Sequence, residues 1–248
     1  MKPSPAGYEY SAYDYSPYDD RTQTLRQIDR YHASFTRVPA APLIARPLTL
    51  SEQTGPIELP RMWNVGPLDL SRAAENGPRA VGQLIRVSGR VTDEDGSPAA
   101  GVVMELWQAN AAGKYVHAMD DHPAPLDPNF IGQGRLLTDA DGRYEVFTVK
   151  PGAYPVLYSG WWWRPPHIHF SILGKSWMNR FVTQIFFPGE PLNQTDLLLN
   201  GVPGGIGNND VRERLIFEHA GTVMGDLSYI NYRRDFVLRG HQRTPEMA

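Results

Sequence analysis

From residue 82 onward, short apolar runs, alternating or β-branched, are separated by turn chemistry. "GQLIRVSGRV" (82–91) and "GVVMELWQA" (101–109) flank "TDEDGSPAA", whose Asp-Gly and Ser-Pro pairs favour a turn. "TDADGRYEVFTV" (138–149) repeats the device. There Asp141-Gly142 precedes a strand that turns Tyr144, Val146 and Thr148 to one face, because successive strand side chains alternate. "HIHFSIL", "RFVTQIFF" and "DFVLRG" complete six strand candidates. No helical period persists through this region, so the pattern predicts a mainly β fold, an antiparallel sandwich or barrel, with the β-sandwich the expected form. Long Gly/Pro-rich stretches at 117–137 and 188–210 read as loops, and loops of that length in a compact domain usually carry function.

Helical signals are few. "NNDVRERLIFEHA" (208–220) predicts one short helix, and "RTQTLRQIDRYH" (21–32) a second. The following "RVPAAPLIARPL" is proline-rich and extended. Residues 1–20 carry tyrosines at positions 8, 10, 13, 15 and 18 with no consistent period, the pattern of an arm. The expected organisation is an N-terminal arm and linker over residues 1–80 and one β-sandwich domain over residues 81–248.

Composition narrows the chemistry. The chain has 248 residues and a net charge of -3, with acids and bases interspersed and no basic stripe to neutralise phosphates. Nucleic acid and anionic membrane surfaces are poor partners for it. No apolar run approaches the roughly 20 residues of a membrane span, and no basic-then-apolar leader is visible, so the expected location is the cytoplasm. With no cysteine, neither a disulfide nor a thiolate site is possible, and any metal must be held by His, Tyr, Asp or Glu.

His167 and His169 are the first candidates for such a site. Two apart on a strand, they project the same way about 6.6 Å apart, and both imidazoles can address one ion. Seven histidines in 248 positions produce an H-x-H by chance on the order of 0.2 times per chain, so the pair alone leaves ordinary hydrogen-bonded histidines open. Familiar recipes are missing: there is no H-E-x-x-H and no acid placed for a facial triad. Asp139 does not open a calcium loop, because Lys150 stands where a glutamate is needed. Tyrosine is the remaining donor class. A phenol is a poor ligand for most divalent ions, whereas a trivalent ion holds it as phenolate. Tyr154 in "KPGAYPV" and Tyr115 in "NAAGKYVH" both lie on turns, and for each a core or interface role stays open.

Three stretches carry a resemblance: "VMELWQANAAGKYVH", "APLDPNFIGQGRLLTDADGRYEVFTVKPGAYP" and "WRPPHIHFSI". Together they resemble the intradiol ring-cleaving dioxygenases, and within that family the iron-bearing β chains that act on protocatechuate. The likeness runs from about residue 82 to 192 and again through "DFVLRG". It implies one non-haem Fe(III) per chain, held by Tyr115, Tyr154, His167 and His169 together with a hydroxide. It also implies that Arg164 stabilises negative charge on the substrate ring, with a packing arginine stacked on tryptophan as the alternative. Gln184 matches a glutamine that orients oxygen-bearing ligands, and remains equally readable as an ordinary strand residue.

The resemblance also implies that Tyr31, Arg37, Trp107, Val156 and Leu198 lie at positions that bind substrate. A helix-surface tyrosine and a solvated arginine stay open for the first two. Val156 is a departure, because a tryptophan two residues after the axial tyrosine is usual there, so the pocket wall is expected to be thinner unless a neighbour such as Tyr158 fills it. Trp161 and Trp162 have no counterpart that explains them.

The activity implied is cleavage of 3,4-dihydroxybenzoate by O2 to 3-carboxy-cis,cis-muconate, in aromatic catabolism through the β-ketoadipate pathway. Tyr154 and the hydroxide would accept the protons of the diol, and both oxygen atoms end in the product without an external reductant. A homologous α chain without the iron ligands is the implied partner in a larger hetero-oligomer. Two other readings remain: an intradiol enzyme for catechol or hydroxyquinol, and a non-enzymatic β-sandwich binding module, which predicts no bound iron.

Overall fold

A computed structural model describes residues 68–93, 95–156, 162–174, 180–202 and 209–238, together with Tyr31 and Phe35. Of the helix expected over 21–32 only Tyr31 is among the described residues, and Arg37, Tyr158 and Trp161 fall outside them. In chain order the strands are β1 (Leu68–Asp69), β2 (Leu84–Asp93), β3 (Val103–Trp107), β4 (Gln133–Leu137), β5 (Arg143–Val149) and β6 (Tyr154–Val156). They continue with β7 (Trp162–Arg164), β8 (His167–Leu173), β9 (Arg180–Phe186), β10 (Glu218–Val223), β11 (Tyr229–Arg233) and β12 (Phe236–Leu238). The fold is mainly β, as the sequence pattern predicts.

Two sheets face each other. One runs β1-β5-β2-β11-β10 with β12 also on β2; the other runs β4-β3-β8-β9, and β6 and β7 form a separate hairpin. Antiparallel pairs make up the smaller sheet, whereas β1–β5, β2–β11 and β2–β12 are parallel. Parallel neighbours need long crossovers, and those pairs join strands far apart in sequence.

Alternation builds the core. Ile85, Val87 and Val91 of β2 and Tyr144 and Val146 of β5 meet Met104 and Leu106 of β3 and Ile168, Phe170 and Ile172 of β8. Each such large side chain, fully buried, contributes about 1.5–3 kcal/mol by removal from water. The tight turns hand the chain from one sheet to the other. Strands β2 and β3 do not pair; an isolated Thr92–Pro98 bridge folds the turn back onto the end of β2. In the β4–β5 turn, Asp139 Oδ1 accepts from the amides of Asp141 and Arg143, a turn device and not a cation loop.

Several elements differ from the sequence pattern. The helix expected over 208–220 spans only Asn209–Glu213, here α1. Phe217 lies in the core, and its amide donates to the Phe186 carbonyl while the Phe186 amide donates to that of Leu215, pulling the chain out of the helix and into β10. The expected loop 117–137 ends in β4, and 188–210 contains a 3-10 turn over Pro191–Gln194. Residues 68–80, grouped with the arm by sequence, include β1 and the buried Leu70 and Ala80, so they pack into the sandwich. None of the helices among the described residues is long and apolar enough to cross a membrane.

Candidate active site

Strand β8 has two faces with different jobs. Ile168, Phe170 and Ile172 enter the core, so alternation sends His167 and His169 to the other face of the smaller sheet. Register then builds a row across that face: Trp107 pairs with His169, and His169 with Gln184. Trp107 and His169 stack almost parallel, centroids 4.8 Å apart at 8°. The two imidazoles stand 4.9 Å apart between centroids.

The tyrosines arrive from two segments that touch. Gly113 has φ +80°, and a Cβ there would lie 2.2 Å from the carbonyl oxygen of Ala153. One at Gly152 would lie 2.4 Å from the carbonyl oxygen of Ala111. Only glycine permits this approach at either position. Asn110, buried, organises it: its carbonyl accepts from the amides of Gly113 and Gly152, and its Oδ1 from those of Ala112 and Lys114. Tyr115 and Tyr154 consequently cross edge to face, centroids 5.3 Å apart.

Tyr115 Oη lies 3.2 Å from His169 Nε2, and Tyr154 Oη 3.4 Å from His167 Nε2. Across the β6–β7 hairpin Tyr154 pairs with Arg164. Arg164 Nη1 approaches Tyr154 Oη at 3.4 Å and His167 Nε2 at 3.1 Å, while Nη2 donates to Gln184 Oε1 at 2.7 Å. His167 Nδ1 donates to the carbonyl oxygen of Pro165 at 2.7 Å, which turns the Nε2 lone pair towards the cluster, where Arg164 Nη1 meets it.

Burial and charge set the protonation states. His169 is lowered to about 3, by burial first and then by Arg164. His167 is also held well below its ordinary value, by burial, Arg164 and His169. Both are neutral near pH 7. Tyr115 is pushed well above the ordinary phenol value, by burial and then by Tyr154. Burial disfavours the Arg164 cation, but Tyr154 and Asp196 outweigh it and the guanidinium titrates above its usual value.

Among the described residues no three His, Cys, Asp or Glu side chains converge. The donors that do converge are two phenols and two neutral imidazoles. That set fits a hard trivalent ion, because only an ion strong enough to displace the proton of a buried phenol is held by all four.

A cavity of about 710 Å³ opens onto this cluster, lined by Trp107, Tyr115, Tyr154, Val156 and His169 among others. Another of about 800 Å³, over Arg86, Arg90, Arg143 and Arg233, contains none of these donors. The structure thus brings together Tyr115, Tyr154, His167, His169, Arg164, Gln184, Trp107 and Val156. Leu198 is half-buried and does not line the cavity; its amide donates to Asp196. Tyr31 reaches the site through Trp162, with ring centroids 5.9 Å apart.

A family profile described as "Dioxygenase" matches residues 57–240. The chain belongs to the intradiol dioxygenase family. It is 43% identical over 217 residues to a protocatechuate 3,4-dioxygenase beta chain of Burkholderia cepacia, covering 87% of this chain and 89% of that one. It is 33% identical to a hydroxyquinol 1,2-dioxygenase of Rhizobium sp., over 46% of this chain and 41% of the other. The solved 3-chlorocatechol 1,2-dioxygenase of Rhodococcus opacus matches with a TM-score of 0.53 at 22% identity, over 71% of this chain and 69% of that chain, a likeness of fold. Intradiol dioxygenases use non-haem Fe(III).

Sequence reasoning missed two members of this dioxygenase's site. Asp196 is fully buried against Arg164, with Oδ2 3.0 Å from Nε. A buried guanidinium requires such a partner, yet nothing in "NQTDLLLN" names it. Asp120 was also missed: its Oδ2 accepts the Tyr115 amide at 2.8 Å.

Proposed function

We propose that this chain is the iron-bearing subunit of an intradiol dioxygenase that cleaves 3,4-dihydroxybenzoate (protocatechuate) with O2 to 3-carboxy-cis,cis-muconate. Its one Fe(III) per chain is held by Tyr115, Tyr154, His167 and His169. The observation that carries this reading is the pair of facing phenol and imidazole contacts, Tyr115–His169 and Tyr154–His167, with Arg164 at their edge. The identity to the Burkholderia beta chain over most of both chains supports the choice of substrate.

When bound, ferric iron supplies the Lewis acidity that makes both phenols phenolates and deprotonates the diol, giving a ring electron-rich enough to react with O2. The protein does the rest. Tyr154 Oη, held as phenolate, would accept one of the diol protons. Arg164, permanently cationic and 3.4 Å from that oxygen, stabilises the charge developing on the ring. Gln184 holds Nη2 of the same arginine. Trp107 and Val156 form apolar walls of the cavity.

We further propose that a homologous chain closes the cavity. Apolar side chains exposed at its rim, Val116 (58%), Met119 (83%) and Ile131 (40%), support this. Cytoplasmic aromatic catabolism through the β-ketoadipate pathway is the corresponding role. A second reading, another substituted catechol as substrate, is favoured by the small Val156 in the wall.

Colour and oxygen uptake test the proposal. The purified protein is expected to be red-brown from tyrosinate-to-Fe(III) charge transfer, and to consume O2 faster with protocatechuate than with catechol or hydroxyquinol. A preparation that stays colourless after Fe(III) reconstitution overturns it, and a reversed substrate order selects the second reading.

A further inference from the structure

We infer that Asp196 is a positioning residue for Arg164, fixing which edge of the guanidinium faces Tyr154 and His167. What Arg164 does is taken from the dioxygenase reading above; how Asp196 acts rests on geometry.

Asp196 follows the 3-10 turn and is wholly buried. Its carboxylate is anchored by its own loop: Oδ1 accepts the amides of Leu199 at 2.7 Å and Leu198 at 3.0 Å. Its place is therefore set by backbone and not by the arginine it meets. Oδ2 then accepts Arg164 Nε at 3.0 Å, and Oδ1 lies 3.5 Å from Nη2. Gln184 takes the other side of Nη2. Trp162 and Phe186 approach the guanidinium at 5.7 and 5.8 Å from their ring centroids.

A free guanidinium presents five equivalent-strength donors in a fork and can turn any edge to a partner. Here Nε and Nη2 are engaged, so Nη1 is the nitrogen left facing Tyr154 Oη and His167 Nε2. The Nη1 contact uses the lone pair through which His167 would hold a metal, so that contact is given up on metal binding. Asp196 and Gln184 use no ligand atom, and their hold on Arg164 persists. Asp196 also leaves the pair neutral, which keeps a cation whose side chain is 5% exposed from being an isolated buried charge.

A double-mutant cycle tests this on the full chain, purified with any partner that accompanies it. Wild type, Asp196→Asn, Arg164→Ala and the double variant are compared by O2-uptake kinetics, iron content, visible absorption and thermal midpoint. Asp196→Asn is expected to keep iron and colour and to lose roughly 10–100-fold in kcat, with a smaller change in KM. The double variant is expected to be no slower than Arg164→Ala, because the residue through which Asp196 acts is already gone. Wild-type kcat in Asp196→Asn, or losses that multiply in the double variant, overturns the inference.

Where Asp196→Asn does not fold, the double variant decides. Recovery of folding when both charges are removed supports the pairing role, and continued failure shows that Asp196 serves only its loop and overturns it. A wild type that consumes no O2 with any diol defeats the dioxygenase reading instead, while non-additive thermal midpoints still report the pair.

Discussion

Tyr115 Oη and His169 Nε2 lie 3.2 Å apart although 54 residues separate them in the chain. Their contact is one of two phenol–imidazole pairs that face each other across the cluster. Tyr115→Phe removes one donor and leaves His169 Nε2 without its partner, at a cost of about 1–3 kcal/mol for a buried group left unpaired. Iron content and the visible charge-transfer band are both expected to fall, read by metal analysis and absorption spectroscopy. Wild-type iron loading in this variant removes Tyr115 from the ligand set.

Arg164→Ala separates chemistry from metal binding. Iron and colour are expected to persist, while kcat falls by roughly 10²–10³, the loss typical of removing one charge-stabilising donor. Stability is expected to fall by about 3–5 kcal/mol, because Asp196 is left as an unpaired buried charge. Oxygen uptake and thermal melting measure the two effects separately.

The metal-free protein should be acid-sensitive. His169 titrates at about 3 when folded, against an ordinary value of 6.5, and His167 is lowered as well. The unfolded chain therefore binds more protons between those values, so stability rises with pH through that window. Denaturant midpoints of the metal-free chain are expected to decline as pH falls from about 6.5 towards 3. Replacing His169 with Gln should flatten the slope; an unchanged slope refutes this origin.

Gly113→Ala tests the approach of the two tyrosine segments. The new Cβ would fall 2.2 Å from Ala153 O at a residue with φ +80°. Strain of about 1–3 kcal/mol is expected at such a position, with Tyr154 displaced because its own Cβ lies 3.3 Å from the same point. Lower thermal stability together with lower iron content is the expected result. Lower stability with full iron loading would mean that the close approach serves only the fold.

The legible part of this protein was what lies close together in sequence. The H-x-H spacing on a strand sets two imidazoles on one face, and Ile168 between them turns inward as alternation requires. Turn chemistry at Asp141-Gly142 was legible for the same reason. Which strands those turns connect was not: β2 and β3 flank a turn yet lie in different sheets, a choice made by burying both inner faces against each other. The short strands β6, β7, β10 and β11 carry little apolar alternation, and Phe217 ended the C-terminal helix early because the core required it.

By itself the sequence offered imidazole and phenol as the donor classes, since it has no cysteine, and it was the family resemblance that singled out Tyr115, Tyr154, His167 and His169. The sequence also determined the glycines that make room for the tyrosine segments. Only the tertiary structure decided the pairing of Tyr115 with His169 and of Tyr154 with His167, the opposition of Val156 to Trp162 across a hairpin, and the partner of the buried arginine. The reason is physical. Local spacing sets the direction of a side chain along its own strand, whereas cross-strand register and the burial of charge are settled by segments far apart in the chain, where Asp196 meets Arg164.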